Sequence, residues 1–539
     1  MKLAHALEAV KALGILRAKG IIDPTRPREA LRAIQDSHVY GPAVTASRRA
    51  ARATPDAPGL VDEHGELTFR QIDDQSTALA RGLRTAGITE GTVVGLLARD
   101  HRGLVLALIA AGKLGAKVAL LNTGFAKPQF AEVCEREGVR AVLHDSEFLG
   151  LLDALPEELP RYLTWVEGEI PSGARTLDEL IAENSSEPLP APAHPGGIVI
   201  LTSGTTGLPK GAPRSRVNPL ATAGMVDRIP YPRRGTQVIV SPLFHSTGLG
   251  TWLVAMSLGT KTVLRRRFDA EATLALVAEH RAQMLVAVPT MLHRMVELDP
   301  AILAKYDLSQ LKCILVAGSA LAPELCQKVA KVFGPVLYNL YGSTECAVAT
   351  VATPEDLALS PGTAGRSPIT CEVRLHDDND RLITARETTG RIFVRSGAPF
   401  EGYTDGRNKQ IIDGFLASGD VGHFDRHGLL MVDGRDDDMI VSGGENVFPQ
   451  EVENLLLERA DVFDAAVVGV DDVEFGKRLR AFVVPEPGHT PEESEIKAFV
   501  KANLARYKVP REVFLLAELP RNATGKLLRR ELMEYERPS

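Results

Sequence analysis

Apolar runs alternate with amphipathic stretches along much of the chain. The runs VVGLLA at residues 93–98 and KVALLN at residues 117–122 have the length of buried strands, and residues 101–114 between them have the pattern of a helix. A similar order continues through residues 129–145, and strand and helix patterns alternate again over residues 238–341. This order predicts parallel sheets with crossover helices.

The pattern changes toward the C-terminus. The segments RIFVRSG (391–397) and GLLMVDG (428–434) have the shorter, turn-rich spacing of antiparallel strands. Residues 434–444, GRDDDMIVSGG, crowd glycine and aspartate between two apolar runs, a composition suited to a hinge. Beyond them, EVENLLLERA, AAVVGV, LRAFVV and SEIKAFVKANL predict helix, strand, strand and helix, which is enough for a small separate domain.

We therefore predict an α/β protein. It has a large N-terminal body of parallel-rich sheets with helices plus a β region, and a small mobile α+β C-terminal domain. The length of 539 residues exceeds what one hydrophobic core usually serves. We place an N-terminal helical extension at residues 1–40, the large domain at 41–434 and the small domain at 435–539.

The first helical pattern carries a narrow apolar stripe, formed by Leu3, Leu7, Val10 and Leu13. Polar residues interrupt this stretch too often for a secretory signal. Two interpretations stay open. The helix could contact the inner face of a membrane through the stripe and nearby cations, or it could pack on its own domain, which so short a stripe favours.

Composition and charge exclude several classes of partner. A formal net charge of −7 over this length gives no reason to expect nucleic acid. Five scattered cysteines argue against a disulfide framework or a zinc knuckle and favour a reducing, cytoplasmic environment: Cys134, Cys313, Cys326, Cys346 and Cys371. No apolar run approaches the length of a bilayer span. The sequence is also compatible with a homodimer.

The stretch LTSGTTGLPKGAPR, residues 201–214, follows a short strand pattern and is the first candidate site. Glycines let backbone amides approach a ligand closely, and hydroxyls with a lysine suit phosphate oxygens. It is not a Walker A motif, because Gly204 and Gly207 are two residues apart and Lys210 precedes a glycine. A glycine-rich surface turn is the alternative. The candidate phosphate-binding residues are Thr202, Ser203, Gly204, Thr205, Thr206, Gly207 and Lys210.

This loop resembles the signature loop of the adenylate-forming superfamily, which includes acyl-CoA synthetases, aryl-CoA ligases, luciferases and peptide-synthetase adenylation domains. Further matches follow in the order of that family: PLFHSTG (242–248), YGSTE (341–345), SGD (418–420), GRDDDMI (434–440) and PRNATGK (520–526). The resemblance covers the chain from about residue 50 onward. It implies that a carboxylate attacks the α-phosphate of ATP and that the acyl group of the adenylate then passes to a thiol, with ATP, Mg²⁺ and coenzyme A as cofactors.

The resemblance also implies catalytic roles for individual residues. Lys526 would reach the carboxylate and the α-phosphate, because two anionic groups must be brought together. Thr344 would donate to the α-phosphate, and Glu345 would hold Mg²⁺ with Thr206 as a second metal-site residue. His245 would gate the passage between the acyl pocket and the thiol tunnel, although a lone histidine is more often structural.

Nucleotide and hinge residues follow from the same resemblance. Tyr341 would pack on adenine, beside Gly342 and Ser343. The adenine would face a backbone edge formed by Gly318, Ser319 and Ala320. Asp420 would accept the ribose hydroxyls with Arg435 beside it, for which a surface ion pair is the alternative. Asp437 would be the pivot of a rotating small domain, and Gly443 and Gly444 would lie where the thiol enters.

The sequence specifies the acid substrate and the thiol acceptor less closely than it specifies the nucleotide chemistry. Residues 245–259, HSTGLGTWLVAMSLG, contain no carboxylate that could pair with an amino group, so an amino acid is disfavoured. Four apolar residues suit an acyl chain and equally suit a core helix: Leu249, Trp252, Leu253 and Met256. We expect a medium- or long-chain fatty acid and coenzyme A, as in long-chain fatty-acid–CoA ligases. A fatty-acyl-AMP ligase loading an acyl carrier protein and a non-catalytic acyl- or nucleotide-binding protein are the alternatives.

Overall fold

The structure is a computed structural model that describes most of the chain. The described residues are 2–22, 25–202, 209–214, 219–398, 400–436, 438, 440–442, 445–472, 476–522 and 525–536.

Helices occur throughout these ranges. They are α1 (Lys2–Ala18), α2 (Pro27–Tyr40), α3 (Pro42–Ala53), α4 (Phe69–Thr85), α5 (Arg102–Lys113), α6 (Lys127–Arg136), α7 (Leu149–Leu152), α8 (Leu177–Ala182), α9 (Pro219–Asp227), α10 (Ser246–Leu258), α11 (Ala270–Glu279), α12 (Pro289–Val296), α13 (Pro300–Leu303), α14 (Pro323–Phe333), α15 (Pro354–Leu359), α16 (Pro449–Leu457), α17 (Glu493–Asn503) and α18 (Arg529–Met533). Proline occupies the first turn of many of them, where its missing N–H would have no helical partner.

The strands form four sheets. They are β1 (Pro58–Asp62), β2 (Gly65–Thr68), β3 (Val93–Leu97), β4 (Lys117–Leu120), β5 (Ala141–Asp145), β6 (Arg161–Trp165), β7 (Arg175–Thr176), β8 (Ile198–Thr202), β9 (Lys210–Arg214), β10 (Thr236–Ile239), β11 (Lys261–Leu264), β12 (Met284–Ala287), β13 (Cys313–Ala317), β14 (Leu337–Tyr341), β15 (Thr350–Ala352), β16 (Glu372–His376), β17 (Leu382–Ile383), β18 (Gly390–Arg395), β19 (Ile411–Ile412), β20 (Phe415–Phe424), β21 (Leu430–Arg435), β22 (Ile440–Ser442), β23 (Glu445–Val447), β24 (Val462–Asp472), β25 (Gly476–Pro485) and β26 (Glu512–Leu515).

Two parallel-rich sheets build the large body. The eight-stranded sheet has the order β15-β14-β13-β12-β10-β11-β1-β2, and the seven-stranded sheet has the order β7-β6-β5-β3-β4-β8-β9. Antiparallel pairs occur only at their edges among the described strands: β1 with β2, β14 with β15, and β8 with β9. Strands β5 and β13 are buried at every position, as continuous apolar runs covered on both faces should be. The predicted α/β class is confirmed.

An antiparallel sheet of strands β16 to β21 follows the large body, with β18 and β20 at its centre. The small C-terminal domain has a sheet in the order β23-β22-β25-β24, with β26 parallel to β25. Its two apolar cores lie on opposite faces of β24. Val467 packs with α16 and α17, and Val468 packs with Leu532 of α18. The predicted residue boundaries stay a prediction, although α2 ends at Tyr40 and α3 begins at Pro42.

Aromatic and charged side chains join the two large sheets. Trp165, at the end of β6, stacks on His64 beside β1 with ring centroids 3.8 Å apart. The Arg266 guanidinium lies 4.8 Å from the Trp165 ring centroid. His101 accepts the Gly103 N–H at Nδ1 and so presents its Nε2–H to Asp145, 2.8 Å away. The junction therefore combines ring stacking with a hydrogen bond that pairs the buried side chains of His101 and Asp145.

The N-terminal helix α1 packs on the large body. It lies against α9 and buries Ala12 and Leu16, which are 0% and 1% exposed. Val10 and Leu13 of the predicted apolar stripe are 65% and 52% exposed, so these two residues are not on the face that packs. Packing on the chain's own domain, which the sequence favoured, is what the structure shows. Among the described helices, none is long and apolar enough to cross a membrane.

Candidate active site

The candidate phosphate loop is closed by the hairpin of β8 and β9. Thr202 pairs with Lys210 across the strands, and the Thr202 hydroxyl donates to the Lys210 carbonyl at 3.2 Å. The Lys210 ammonium lies 4.9 Å from the centroid of the Tyr403 ring. Five predicted phosphate-binding residues lie outside the described residues, and their roles stay predictions: Ser203, Gly204, Thr205, Thr206 and Gly207.

The loop after β14 makes a tight turn. A Cβ on Gly342 would lie 2.0 Å from the Ala347 carbonyl oxygen, so no side chain fits there. The Ser343 hydroxyl accepts the backbone N–H groups of Glu345, at 3.2 Å, and Cys346, at 3.3 Å. These hydrogen bonds fix the backbone that carries Thr344 and Glu345.

Glu345 is buried, with 6% of its surface exposed, and its carboxylate is held by protein donors. The Tyr403 hydroxyl donates to Oε1, and the Lys409 ammonium lies 3.8 Å from the same oxygen. Burial by itself would raise the pKa of Glu345. Lys409 and the hydroxyls of Tyr403 and Ser343 outweigh it and hold this pKa below its ordinary value. A deprotonated carboxylate here fits Mg²⁺, a hard cation that prefers oxygen ligands.

Arg214, the last residue of β9, ties the phosphate-loop hairpin to the loop after β14. Its guanidinium donates to the backbone carbonyl of Thr344 and, at 2.9 Å, to that of Glu345. No role was predicted from the sequence for Arg214, Tyr403 or Lys409. Arg214 stands in the conspicuous stretch of residues 201–214, which was a signal that could have drawn attention to it.

The predicted ribose residues meet across neighbouring strands. Asp420 of β20 pairs in register with Arg435 of β21, and Arg435 Nη1 lies 3.1 Å from Asp420 Oδ1. The Tyr341 hydroxyl donates to Asp420 Oδ2 at 2.6 Å. Burial, followed by the Asp420 charge, raises the pKa of Tyr341 well above its ordinary value, so Tyr341 stays a donor. Each carboxylate oxygen accepts one bond and keeps a lone pair for a further hydroxyl.

The predicted adenine edge follows the strand next to β14. Gly318 comes directly after β13 with a φ of +97°, and β13 pairs in parallel with β14. The residues after these two strands therefore share one end of the sheet, where ligands of open α/β sheets commonly lie. Gly318 and Ala320 are exposed and Ser319 is half-buried there, as a binding edge requires.

His245 precedes α10 and is half-buried. Its ring centroid lies 4.4 Å from that of Phe244, and burial lowers the pKa of His245 to about 4. Its Nε2 is buried and has no hydrogen-bond partner among the described residues. The imidazole is therefore neutral near pH 7, as an apolar gate would be.

Helix α10 is mostly a core helix. Leu249, Trp252 and Met256 are at most 4% exposed and belong to the main hydrophobic cluster, while Leu253 is half-buried. The core alternative therefore accounts for these side chains. The Asp100 carboxylate accepts the Leu243 backbone N–H at 2.8 Å, a contact that holds the turn before His245 and that the sequence did not predict.

Lys526 lies in a turn of the small domain that packs on the large body. The Asn522 side chain accepts the Lys526 N–H at 2.9 Å. Gly525 has a φ of +73°, and a Cβ there would lie 2.1 Å from Thr290 Oγ1 in α12, the helix that follows β12. The role of Lys526 stays a prediction. Asp437, Gly443 and Gly444 lie outside the described residues.

The chain matches known families and structures over most of its length. The family described as AMP-binding enzyme matches residues 47–404, and the AMP-binding enzyme C-terminal domain matches residues 451–526. Indoleacetate–CoA ligase from Aromatoleum aromaticum is 33% identical over 473 residues, which is 86% of this chain and 92% of that protein.

Two solved structures are similar in fold. O-succinylbenzoate coenzyme A synthetase from Bacillus subtilis, in complex with ATP and magnesium ion, has a TM-score of 0.77 at 27% identity and covers 90% of this chain and 98% of its own. Mycobacterium tuberculosis fatty acyl CoA synthetase has a TM-score of 0.69 at 25% identity and covers 91% and 97%. The chain thus belongs to the AMP-binding enzymes and is an adenylate-forming acid–thiol ligase that uses ATP, Mg²⁺ and coenzyme A.

Proposed function

We propose that the acid is an apolar carboxylic acid without an amino group and that aromatic acids are the first class to be tested. The observation that carries this proposal is the absence of charge along α10: the helix has no charged residue, and His245 before it is neutral. A substrate ammonium would find no counter-charge along this helix and would be costly to bury.

The relatives divide the apolar acids into two classes. The indoleacetate and succinylbenzoate ligases are named for aromatic acids, whereas one similar structure is a fatty acyl CoA synthetase. The aromatic names are the support for placing aryl acids first. The fatty acid predicted from the sequence is the second candidate.

The proposed roles of the chain's residues come from the family resemblance, and the described contacts of Glu345, Asp420 and Arg435 support them. Asp420 and Arg435 would hold the ribose, Tyr341 would pack on adenine, and Glu345 would hold Mg²⁺ together with Thr206. Bound Mg²⁺ would neutralise charge on the phosphates. Lys526 would stabilise the charge that develops as the carboxylate attacks, and His245 would exclude water from the acyl passage.

A panel of acids tests the proposal. Coenzyme A-dependent AMP release would be measured with indole-3-acetate, phenylacetate and benzoate and with hexanoate, octanoate and palmitate. We expect the highest kcat/KM with an aryl acid. Glu345→Gln, which keeps the side-chain shape but removes the charge, is the inactive control. A fatty acid at the top of the panel would select the second candidate, and no AMP release with any acid of the panel would contradict the proposal.

The acceptor is tested in the same assay. Replacing coenzyme A by acyl carrier protein should leave AMP release at the background level. Acylation of the carrier protein instead of coenzyme A would select the fatty-acyl-AMP ligase alternative.

Membrane contact, cytoplasmic location and a homodimer stay predictions. The exposed Val10 and Leu13 of α1, with exposed Lys11 and Arg17 beside them, are the features that support contact with an anionic membrane surface.

A further inference from the structure

The N-terminal helices lie outside the part of the chain that matches the family. That match begins at residue 47, so α1, α2 and the start of α3 precede it. These helices are nevertheless integrated into the fold: α1 packs on α9, and α3 packs on α10. They therefore support the two helices that flank the segment containing His245.

One face of α9 is held by α1. Ala12 and Leu16 of α1 belong to the same buried cluster as Ala223 and Val226 of α9, and all four are at most 1% exposed. Lys19 Nζ donates to the carbonyl of Ile229, two residues beyond α9, at 3.3 Å. Apolar burial and this hydrogen bond together fix α9 relative to α1.

Two further contacts of α9 reach the chain after β15 and helix α10. Asp227 Oδ2 accepts the N–H of Ile369 at 2.8 Å, which ties the end of α9 to the chain that follows β15. Met225 Cε lies 3.4 Å from where a Cβ on Gly250 would stand, in α10 just after His245. A shift of α9 would therefore move Met225 relative to α10.

We propose that α1 is a positioning element of the acid site: Leu16 and Ala12 hold α9 so that Met225 stands at a fixed distance from α10, and this spacing selects acids by size. This inference rests on the proposed function, in which the acid lies beside α10. Because protein interiors are close-packed, removing buried atoms behind α9 should be felt at its opposite face.

The test compares two leucine truncations in the N-terminal helices. Leu16→Ala removes buried contacts behind α9, whereas Leu31→Ala removes the same atoms from an exposed position in α2, where Leu31 is 58% exposed. Two quantities would be measured in solution, with no membrane present. The first is kcat/KM for a large acid, indole-3-acetate, divided by kcat/KM for a small acid, benzoate. The second is the KM for ATP. A change of one methylene in a hydrophobic pocket typically alters such ratios by about 10–200-fold.

We expect Leu16→Ala to raise the large-to-small ratio by about tenfold, with the KM for ATP within about twofold of the parent, and Leu31→Ala to change neither. Hydrogen exchange in residues 219–227 should accelerate in Leu16→Ala and not in β13. An unchanged acid ratio in a folded Leu16→Ala protein, or an equal loss for both acids, would overturn the proposal.

Lys19→Met is the second variant, for the case that Leu16→Ala fails to fold. It removes the half-buried contact to Ile229 without opening the core, and we expect the acid ratio to shift in the same direction. No shift in that ratio would also count against the proposal. Failure of the proposed function is separable, because the unaltered protein would then release no AMP with any acid of the panel.

Discussion

At the scale of single residues, Asp100 is the titratable group most strongly altered by the fold next to the gate. Its side chain is buried and accepts a hydrogen bond from the N–H of Leu243, which stands two residues before His245. Burial raises the pKa of Asp100 to about 7, because removing the carboxylate from water disfavours its charged form.

We predict that Asp100→Asn makes the stability less dependent on pH. Asp100 is protonated in the folded chain and ionised in the unfolded chain between its ordinary pKa and about pH 7, so the free energy of unfolding falls as the pH rises through this window. Asparagine keeps an acceptor for Leu243 and cannot ionise. In urea denaturation, the free energy of unfolding of the variant should therefore rise relative to that of the parent between pH 5 and pH 8, by on the order of 1–4 kcal/mol.

The control is Asp56→Asn, because the Asp56 side chain is 83% exposed. Its difference from the parent should be small at every pH. If the difference in free energy of unfolding between Asp100→Asn and the parent is also independent of pH, the Asp100 carboxylate is not desolvated, and the prediction is wrong.

At the scale of elements, the sequence predicted those whose cause is local. The strands and helices between residues 93 and 145, the short strand that begins at residue 198 and the helices and strands of the small domain follow from apolar periodicity, and they are confirmed. The short β22–β23 hairpin was not predicted, because three-residue strands carry too little pattern.

The site was predictable in its motifs and not in its connections. Asp420 and Arg435, which the resemblance puts side by side, form an ion pair, whereas the hydrogen bond from Tyr341 to Asp420 was not predicted. The contacts of Glu345 with Tyr403 and of Arg214 with the loop after β14 join residues 58 and more than 100 positions apart. No local pattern encodes such pairs, because they depend on how separate sheets pack.

The turn after β14 gives a prediction at this scale. Gly342→Ala forces a methyl group against the Ala347 carbonyl, so the turn must move and displace Thr344 and Glu345. We expect the free energy of unfolding to fall by about 1–3 kcal/mol. The rate of pyrophosphate release should fall by more than this loss of stability explains. Gly150→Ala in α7 is the matched control, since nothing lies within 4 Å of that Cβ, and it should stabilise by about 0.5–1 kcal/mol. Full activity in Gly342→Ala would show that the turn tolerates displacement.

At the scale of the whole molecule, the small domain is tied both to the segment that was predicted to be a hinge and to the large body. Arg529 pairs with buried Glu453 at 2.8 Å and with Asp438, in the segment between the domains, at 3.3 Å. The His293 and Phe463 rings meet edge to face across the domains, with centroids 4.7 Å apart. The turn that carries Lys526 thus contacts the large body, although the hydrophobic cores of the small domain are separate from those of the large body.

Lys526→Ala tests whether the two half-reactions divide between the domains. Loss of the ammonium should cost the first step about 2.7–4 kcal/mol, or 10²–10³-fold in adenylate formation, by comparison with other electrostatic stabilisers. Thioester formation from supplied acyl-adenylate should be largely intact. Lys477→Ala, at an exposed position in the same domain, should leave both steps unchanged. Equal losses in both half-reactions of Lys526→Ala would contradict the division.

The placement of tryptophan decides what fluorescence can report. The chain has two tryptophans, Trp165 at the junction of the large sheets and Trp252 in α10, and neither lies in the small domain. Intrinsic tryptophan emission is therefore suited to reporting acid binding at the proposed site near α10. It would not by itself report the predicted rotation of the C-terminal domain. Phe463→Trp would place an emitter against His293, where separation of the domains would change its quenching and make the motion visible in a stopped-flow experiment.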